Sequence, residues 1–164
     1  MKLMLVASAG GHLAQLLALR SLWEHHDRAW ATFRLPEVEA ALNGETAYWV
    51  HHPTTRNLPN AVRNLRLAWR SLRRERPDAV ISTGAAVSVS YFIAARLLGI
   101  PTVFIEAYDR ITMPTLSARL CYPFCDLFVV QWDQQQEAFP ESVNIRAALS
   151  ARRPRRLPCL PQNP

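Results

Sequence analysis

Residues 2–19, KLMLVASAGGHLAQLLAL, decide the fold. Lys2–Ala7 is a short continuous apolar run of the kind that forms a strand covered on both faces. It ends in Ser8-Ala9-Gly10-Gly11, and from His12 to His25 the apolar residues recur at helical spacing. A strand, a glycine turn and a helix open a βα unit. Further strands are predicted at Arg28–Phe33, Ala47–His51, Ala79–Ser82, Thr102–Glu106 and Leu127–Gln131, with helices at Pro36–Leu42, Leu58–Arg74, Ala86–Leu98 and Pro114–Tyr122. The alternation predicts an α/β fold, a Rossmann-like parallel sheet with helices on both faces. Ligands of such sheets lie beyond the carboxyl ends of the strands, where strand order reverses. The loops to inspect are therefore Ser8–His12, His52–Asn57, Thr83–Ala85, Glu106–Pro114 and Trp132–Asp133.

Composition narrows the class. The 164 residues, 49% apolar and 20% charged, suit one globular domain over residues 1–150. Of the +6 net charge, four units are Arg152, Arg153, Arg155 and Arg156, leaving +2 for that domain. The tail 151–164 is basic and Pro-rich, without helical or strand period, and is expected to be disordered. Cys121, Cys125 and Cys159 form neither a CxxC pair nor a secreted disulfide framework, which favours a reducing cytoplasm. The uncharged stretches Leu3–Leu19 and Ala79–Ala95 are interrupted by Gly and Ser and fall short of the roughly 20 apolar residues of a membrane span. Neither a signal peptide nor a transmembrane helix is expected.

Gly10 and Gly11 let the backbone turn sharply and present amides at a helix N-terminus, where phosphate is favoured; a tight turn without ligand is the alternative. The GxGxxG and GxxxxGK[ST] patterns are both missing, which disfavours a dinucleotide enzyme or a P-loop enzyme. His12 stands in the first helical turn, where the partial positive charge of the helix favours a neutral ring. It reads as a general base or as a structural hydrogen-bonding group. Ser82-Thr83-Gly84-Ala85 is a second glycine turn between a strand and a helix, with capping by Ser82 or Thr83 as its simpler reading. Glu106 ends a strand, and Asp109 and Arg110 follow in a polar loop. Its carboxylate suits sugar hydroxyls, orientation of His12, or a pair with Arg110.

Leu58, Val62, Leu65, Trp69 and Leu72 predict an apolar stripe packed on the core. Arg63, Arg66, Arg70, Arg73 and Arg74 occupy the other faces, as a solvated surface or a contact for anionic headgroups. No nucleic-acid motif accompanies them. His25-His26 and His51-His52 lack the spacing of a metal pair, so neither a metal nor another cofactor is assigned. No GxSxG elbow occurs, and covalent catalysis has no support.

Several ordered segments, SAGGHLAQLLAL, YWVHHPTTRNLPNAVRNLRLAWRSLRRERPDAVISTGAAVSV, LLGIPTVFIEAYDRITMPTLSARLCYPFCDLFVVQW and the closing FP, together resemble one family over about residues 2–145. It is that of the bacterial polysaccharide-biosynthesis proteins PssD, CpsF and EpsE. These are similar to the membrane-recruiting subunit of the eukaryotic split N-acetylglucosaminyltransferase and to the N-terminal domain of MurG. The resemblance implies the N-terminal, acceptor-side half of a GT-B glycosyltransferase. The matching positions are Gly10-Gly11-His12, Thr83-Gly84, and Leu98-Gly99-Ile100-Pro101 with Glu106.

It further implies a separate donor-binding glycosyltransferase subunit as partner and a polyprenyl-diphosphate-linked sugar as acceptor, at the cytoplasmic membrane surface. His12 becomes the base toward the acceptor hydroxyl, supported by Glu106. Ser8, Gly10, Gly11, Thr83, Gly84, Asp109 and Arg110 become acceptor and phosphate contacts. Eukaryotic members carry an N-terminal membrane helix without counterpart here, so peripheral attachment is expected. Two other readings compete: a membrane adaptor with no residue in the reaction, and a free-standing nucleotide-binding Rossmann module.

Overall fold

The computed structural model describes residues 1–54 and 57–147. The expected tail 151–164 lies outside them. The chain builds β1 (Lys2–Val6), α1 (Gly11–Ala18), α2 (Arg20–Trp23), β2 (Asp27–Thr32), α3 (Pro36–Ala41), β3 (Thr46–Trp49), α4 (Leu58–Glu75), β4 (Ala79–Ser82), α5 (Ala86–Leu98) and β5 (Thr102–Ile105). Then come α6 (Leu116–Cys121), a 3-10 turn (Tyr122–Phe124), β6 (Leu127–Val130), α7 (Asp133–Ala138) and β7 (Val143–Asn144). All strand pairs are parallel, in the order β3-β2-β1-β4-β5-β6-β7. The chain winds outward from β1 to β3, then crosses back to lay β4 on the other side of β1. The switch point therefore lies between β1 and β4, above whose carboxyl ends the two glycine turns stand.

Alternate residues of each strand enter opposite cores, the signature of a sheet covered on both faces. Met4, Val6, Ala29, Ala31, Val80 and Phe104 join Ala68 and Leu72 of α4, Tyr91 of α5 and Ala118 of α6. Leu3, Leu5, Trp30, Ile81 and Ile105 join Leu13 and Leu16 of α1, Trp23 of α2 and Val38 of α3. Beneath β5 and β6, Phe104 stacks on Phe128 at 4.9 Å, and Phe128 meets Phe139 at 4.3 Å. Each such pair adds about 0.5–1.5 kcal/mol beyond its burial.

Three expectations need correction. The helix expected over His12–His25 breaks at Leu19 into α1 and α2. The Trp23 indole donates to the Leu16 carbonyl at 2.9 Å, taking the acceptor that Arg20 N–H would use in a continuous helix. The apolar stripe of α4 is not the core face: Leu58 is 76% exposed, and Val62 and Trp69 are also exposed, while Leu65 is half-buried and Leu72 buried. The buried face carries Asn60, Asn64, Ala68, Ser71 and Leu72. Asn64 explains this, since its amide accepts from His51 N–H at 2.8 Å and donates to the His51 carbonyl at 2.9 Å, prolonging the hydrogen bonding of β3. Asn60 donates to the Pro53 carbonyl, and Ser71 meets the Tyr91 hydroxyl on α5. Finally, Trp132–Asp133 is not simply a loop but the start of α7, and β7 adds a seventh strand.

Candidate functional site

Each turn at the switch point is built by its own residues and then fastened to the other. Gly10 has φ +82 at the N-cap of α1, a conformation that favours glycine, and no side chain caps that helix end. Ser8 is half-buried and donates to the Ala9 carbonyl. In the second turn, Ser82 accepts from Gly84 N–H and donates to the Val6 carbonyl, tying the turn to β1. Ser88 donates to the Gly84 carbonyl. The capping reading fails for this turn: Ala85 is the N-cap of α5, and no side chain caps it. Ala85 holds φ 78, ψ 164, a costly conformation for a residue with a side chain.

The lock between the turns is reciprocal. His12 Nδ1 lies 2.8 Å from the Thr83 carbonyl, and Thr83 Oγ1 donates to the His12 carbonyl at 2.6 Å. A carbonyl only accepts, so Nδ1 carries a proton and Nε2 stays outside the lock. Gly84 lies flat against the imidazole, for a Cβ there would stand 2.8 Å from His12 Cε1. The second glycine turn thus exists in part to admit the histidine of the first.

His12, Gly11 and Gln15 form one wall of a cavity of about 260 Å³, and Ala107, Tyr108, Asp109 and Arg110 form the other. Of the residues singled out in the sequence, Gly11, His12, Asp109 and Arg110 meet there. Thr83 and Gly84 support His12 from behind. Arg110 Nε stands 3.9 Å from Asp109 Oδ2, both exposed.

Among the described residues Glu106 makes no hydrogen bond to His12 and no ion pair with Arg110, although the Arg110 charge acts on it. It is fully buried, and Oε1 accepts from Ala107 N–H at 2.9 Å and Thr115 Oγ1 at 3.3 Å, while Oε2 has no partner among the described residues. Burial pushes its pKa up, against the opposing effect of those hydrogen bonds. Its position shapes the loop rather than the open cavity.

Three glutamines hold that loop, and the sequence reading missed all of them. Gln15 and Gln131 each donate to the Glu106 carbonyl at 3.2 Å. Gln135, buried on α7, donates to the Arg110 and Ala107 carbonyls and accepts from Gln131 and Trp132 N–H. The available signal was position, since Gln15 lies one helical turn past Gly11 and Gln131 directly follows a strand. Burial raises the Cys125 thiol to about 11 and Cys121 higher, so neither is an activated nucleophile. Among the described residues, no three His, Cys, Asp or Glu side chains converge as metal ligands.

Comparison with solved structures places this architecture. Acinetobacter baumannii MurG matches with a TM-score of 0.65 at 18% identity, over 81% of this chain and 42% of MurG. UDP-N-acetylglucosamine 2-epimerase from Rickettsia bellii matches with a TM-score of 0.67 at 16% identity, over 84% of this chain and 40% of the epimerase. The chain thus spans about two-fifths of these proteins and has the Rossmann-like fold of the N-terminal half of a GT-B glycosyltransferase.

Among sequence relatives, rat UDP-N-acetylglucosamine transferase subunit ALG14 is 27% identical over 87% of this chain and 81% of its own length. Its human counterpart is 26% identical over 88% and 82%. The UDP-N-acetylglucosamine--N-acetylmuramyl-(pentapeptide) pyrophosphoryl-undecaprenol N-acetylglucosamine transferase of Roseiflexus is 37% identical over 70% of this chain and 23% of its own length. The family model described as "Oligosaccharide biosynthesis protein Alg14 like" matches residues 41–148. With that match covering most of its length, the chain belongs to the Alg14-like family of oligosaccharide biosynthesis proteins.

Proposed function

We propose that this protein is the acceptor-side subunit of a two-chain glycosyltransferase that uses a UDP-sugar held by a separate partner chain. The acceptor is a polyprenyl-diphosphate-linked sugar at the cytoplasmic face of the membrane, in the synthesis of a lipid-linked oligosaccharide, exopolysaccharide or capsule. The reading is carried by the lock between His12 and Thr83, which commits Nδ1 to a carbonyl and leaves Nε2 for substrate beside two helix N-termini that no side chain caps. The partial positive charge of those helix ends, with Arg110, suits a diphosphate. His12 Nε2 takes the proton of the acceptor hydroxyl as its oxygen bonds the anomeric carbon of the donor sugar. The bond from that carbon to UDP breaks, and UDP leaves with its electron pair. Glu106 and the three glutamines hold loop 107–110 against the acceptor.

The exposed apolar residues and arginines of α4 support peripheral membrane contact. No helix among the described residues is long and apolar enough to cross a membrane. The same surface favours a second reading, a membrane adaptor without a catalytic residue. Sugar transfer from radiolabelled UDP-N-acetylglucosamine to membrane acceptor lipid, by this chain alone and with a co-expressed donor-binding partner, tests the proposal. Activity confined to the pair is the expected result, and activity of this chain alone overturns it.

A further inference from the structure

Beside the His12 cavity lies a second, larger one. A groove of about 720 Å³ runs between the start of α4, the start of α5 and α6, against about 260 Å³ for the cavity at His12. Its volume falls within the roughly 300–1,000 Å³ of small-molecule sites. The lining is mainly apolar, with Leu58, Ala61, Ala86, Val89, Leu116 and Leu120 contributing most of it. Leu58 and Leu116 are about three-quarters exposed, at 76% and 73%, and nearby Met113 is 76% exposed.

Position says what could occupy it. The groove begins at the helix starts that follow two connections reaching the His12 site. Ala86 opens α5 directly after Gly84-Ala85, the turn that meets His12. Leu116 opens α6 directly after Thr115, which bonds Glu106 at the root of the loop forming the other wall of the cavity. A diphosphate at the uncapped start of α5 would stand between His12, which Gly84 touches, and Ala86, which lines the groove. The groove shields from water the part of an apolar chain nearest that diphosphate, before the chain reaches the bilayer.

We infer that this groove seats the first isoprenoid units of the acceptor, next to the diphosphate, as a binding site distinct from the bilayer contact that Val62, Trp69 and the arginines of α4 make. The inference deepens the proposed acceptor and rests on it for the identity of the chain, but binding tests it without sugar transfer. Purified protein is titrated with farnesyl diphosphate and with inorganic diphosphate, below the concentration at which farnesyl diphosphate forms micelles. Farnesyl diphosphate should bind at least about tenfold more tightly.

Ala61→Trp fills the groove, and Leu116→Asn makes its rim polar; both positions are exposed, so the fold tolerates the changes. Each variant should lose most of the preference for farnesyl diphosphate while binding inorganic diphosphate and phosphatidylglycerol vesicles as the parent does. Equal affinity for the two probes overturns the inference, as does an unaltered preference in both variants. A loss of vesicle binding in place of the preference also overturns it and assigns the surface to bilayer lipid. A retained preference in a protein that, with its partner, transfers no sugar leaves the groove standing and removes the proposed reaction instead.

Discussion

Gly84 is a residue whose missing side chain has a definite use. At φ +118 it adopts a backbone that side chains disfavour, and its Cβ position is occupied by the His12 ring. Gly84→Ala should therefore displace the imidazole and cost about 1–3 kcal/mol of stability, read as a lower urea midpoint. In a His12→Ala background the collision is gone, so the same substitution should cost less, leaving only the backbone strain. A double-mutant cycle measures that coupling, and a coupling of zero would refute the packing described.

Glu106 gives a pH test. Burial raises its pKa above the ordinary 4.5, so the folded chain holds this proton to higher pH than the unfolded chain does. Its stabilising contribution is full below the unfolded value and is lost as pH rises through the folded one. Glu106→Gln stays neutral throughout. As pH rises above the ordinary 4.5, its Tm should fall less than that of the parent, and parallel curves would contradict the assignment. At this scale the sequence announced His12 and both glycine turns, because strand, glycine and helix follow one another. It could not announce that Glu106 turns inward, since that depends on Thr115 meeting it across the loop.

The lesson of α4 is how an element chooses its buried face. Leu58, Val62, Leu65, Trp69 and Leu72 have helical spacing, and hydrophobic pattern alone puts them inward. Asn60 and Asn64, also at helical spacing, instead satisfy the carbonyls and amide left at the end of β3 and its following loop. Asn60 and Asn64 are themselves buried, and a buried amide needs partners, which this orientation supplies. Asn64→Ala should cost about 1–3 kcal/mol by orphaning both His51 groups, whereas Val62→Gln on the exposed side should change stability by less than about 0.5 kcal/mol. Thermal unfolding of the two variants distinguishes this arrangement from one with the apolar stripe inside. Longer strands and helices were legible to within two residues, because their apolar runs are continuous. The break at Leu19 was not, because an indole several residues later takes the helix carbonyl. The short α7 and β7 escaped as well, since their six and two residues are too few for a period to emerge.

For the whole molecule, winding outward from β1 and back to β4 brings residues 12 and 83 into contact across one sheet edge. The alternation of strands and helices made the parallel sheet legible, but not the strand order, which depends on contacts between distant segments. The face that would meet the proposed donor-binding partner was not legible, because nothing in the local pattern of one chain encodes the surface of another. The half-molecule account makes His12 a participant in transfer rather than part of an anchor. The most direct measurement is the rate of sugar transfer by the assembled pair carrying His12→Ala, with co-purification showing that the complex has formed. The account predicts a loss of about 100- to 10,000-fold, the usual worth of a general base. Transfer at the parental rate by an intact His12→Ala complex would contradict it and leave this protein an adaptor.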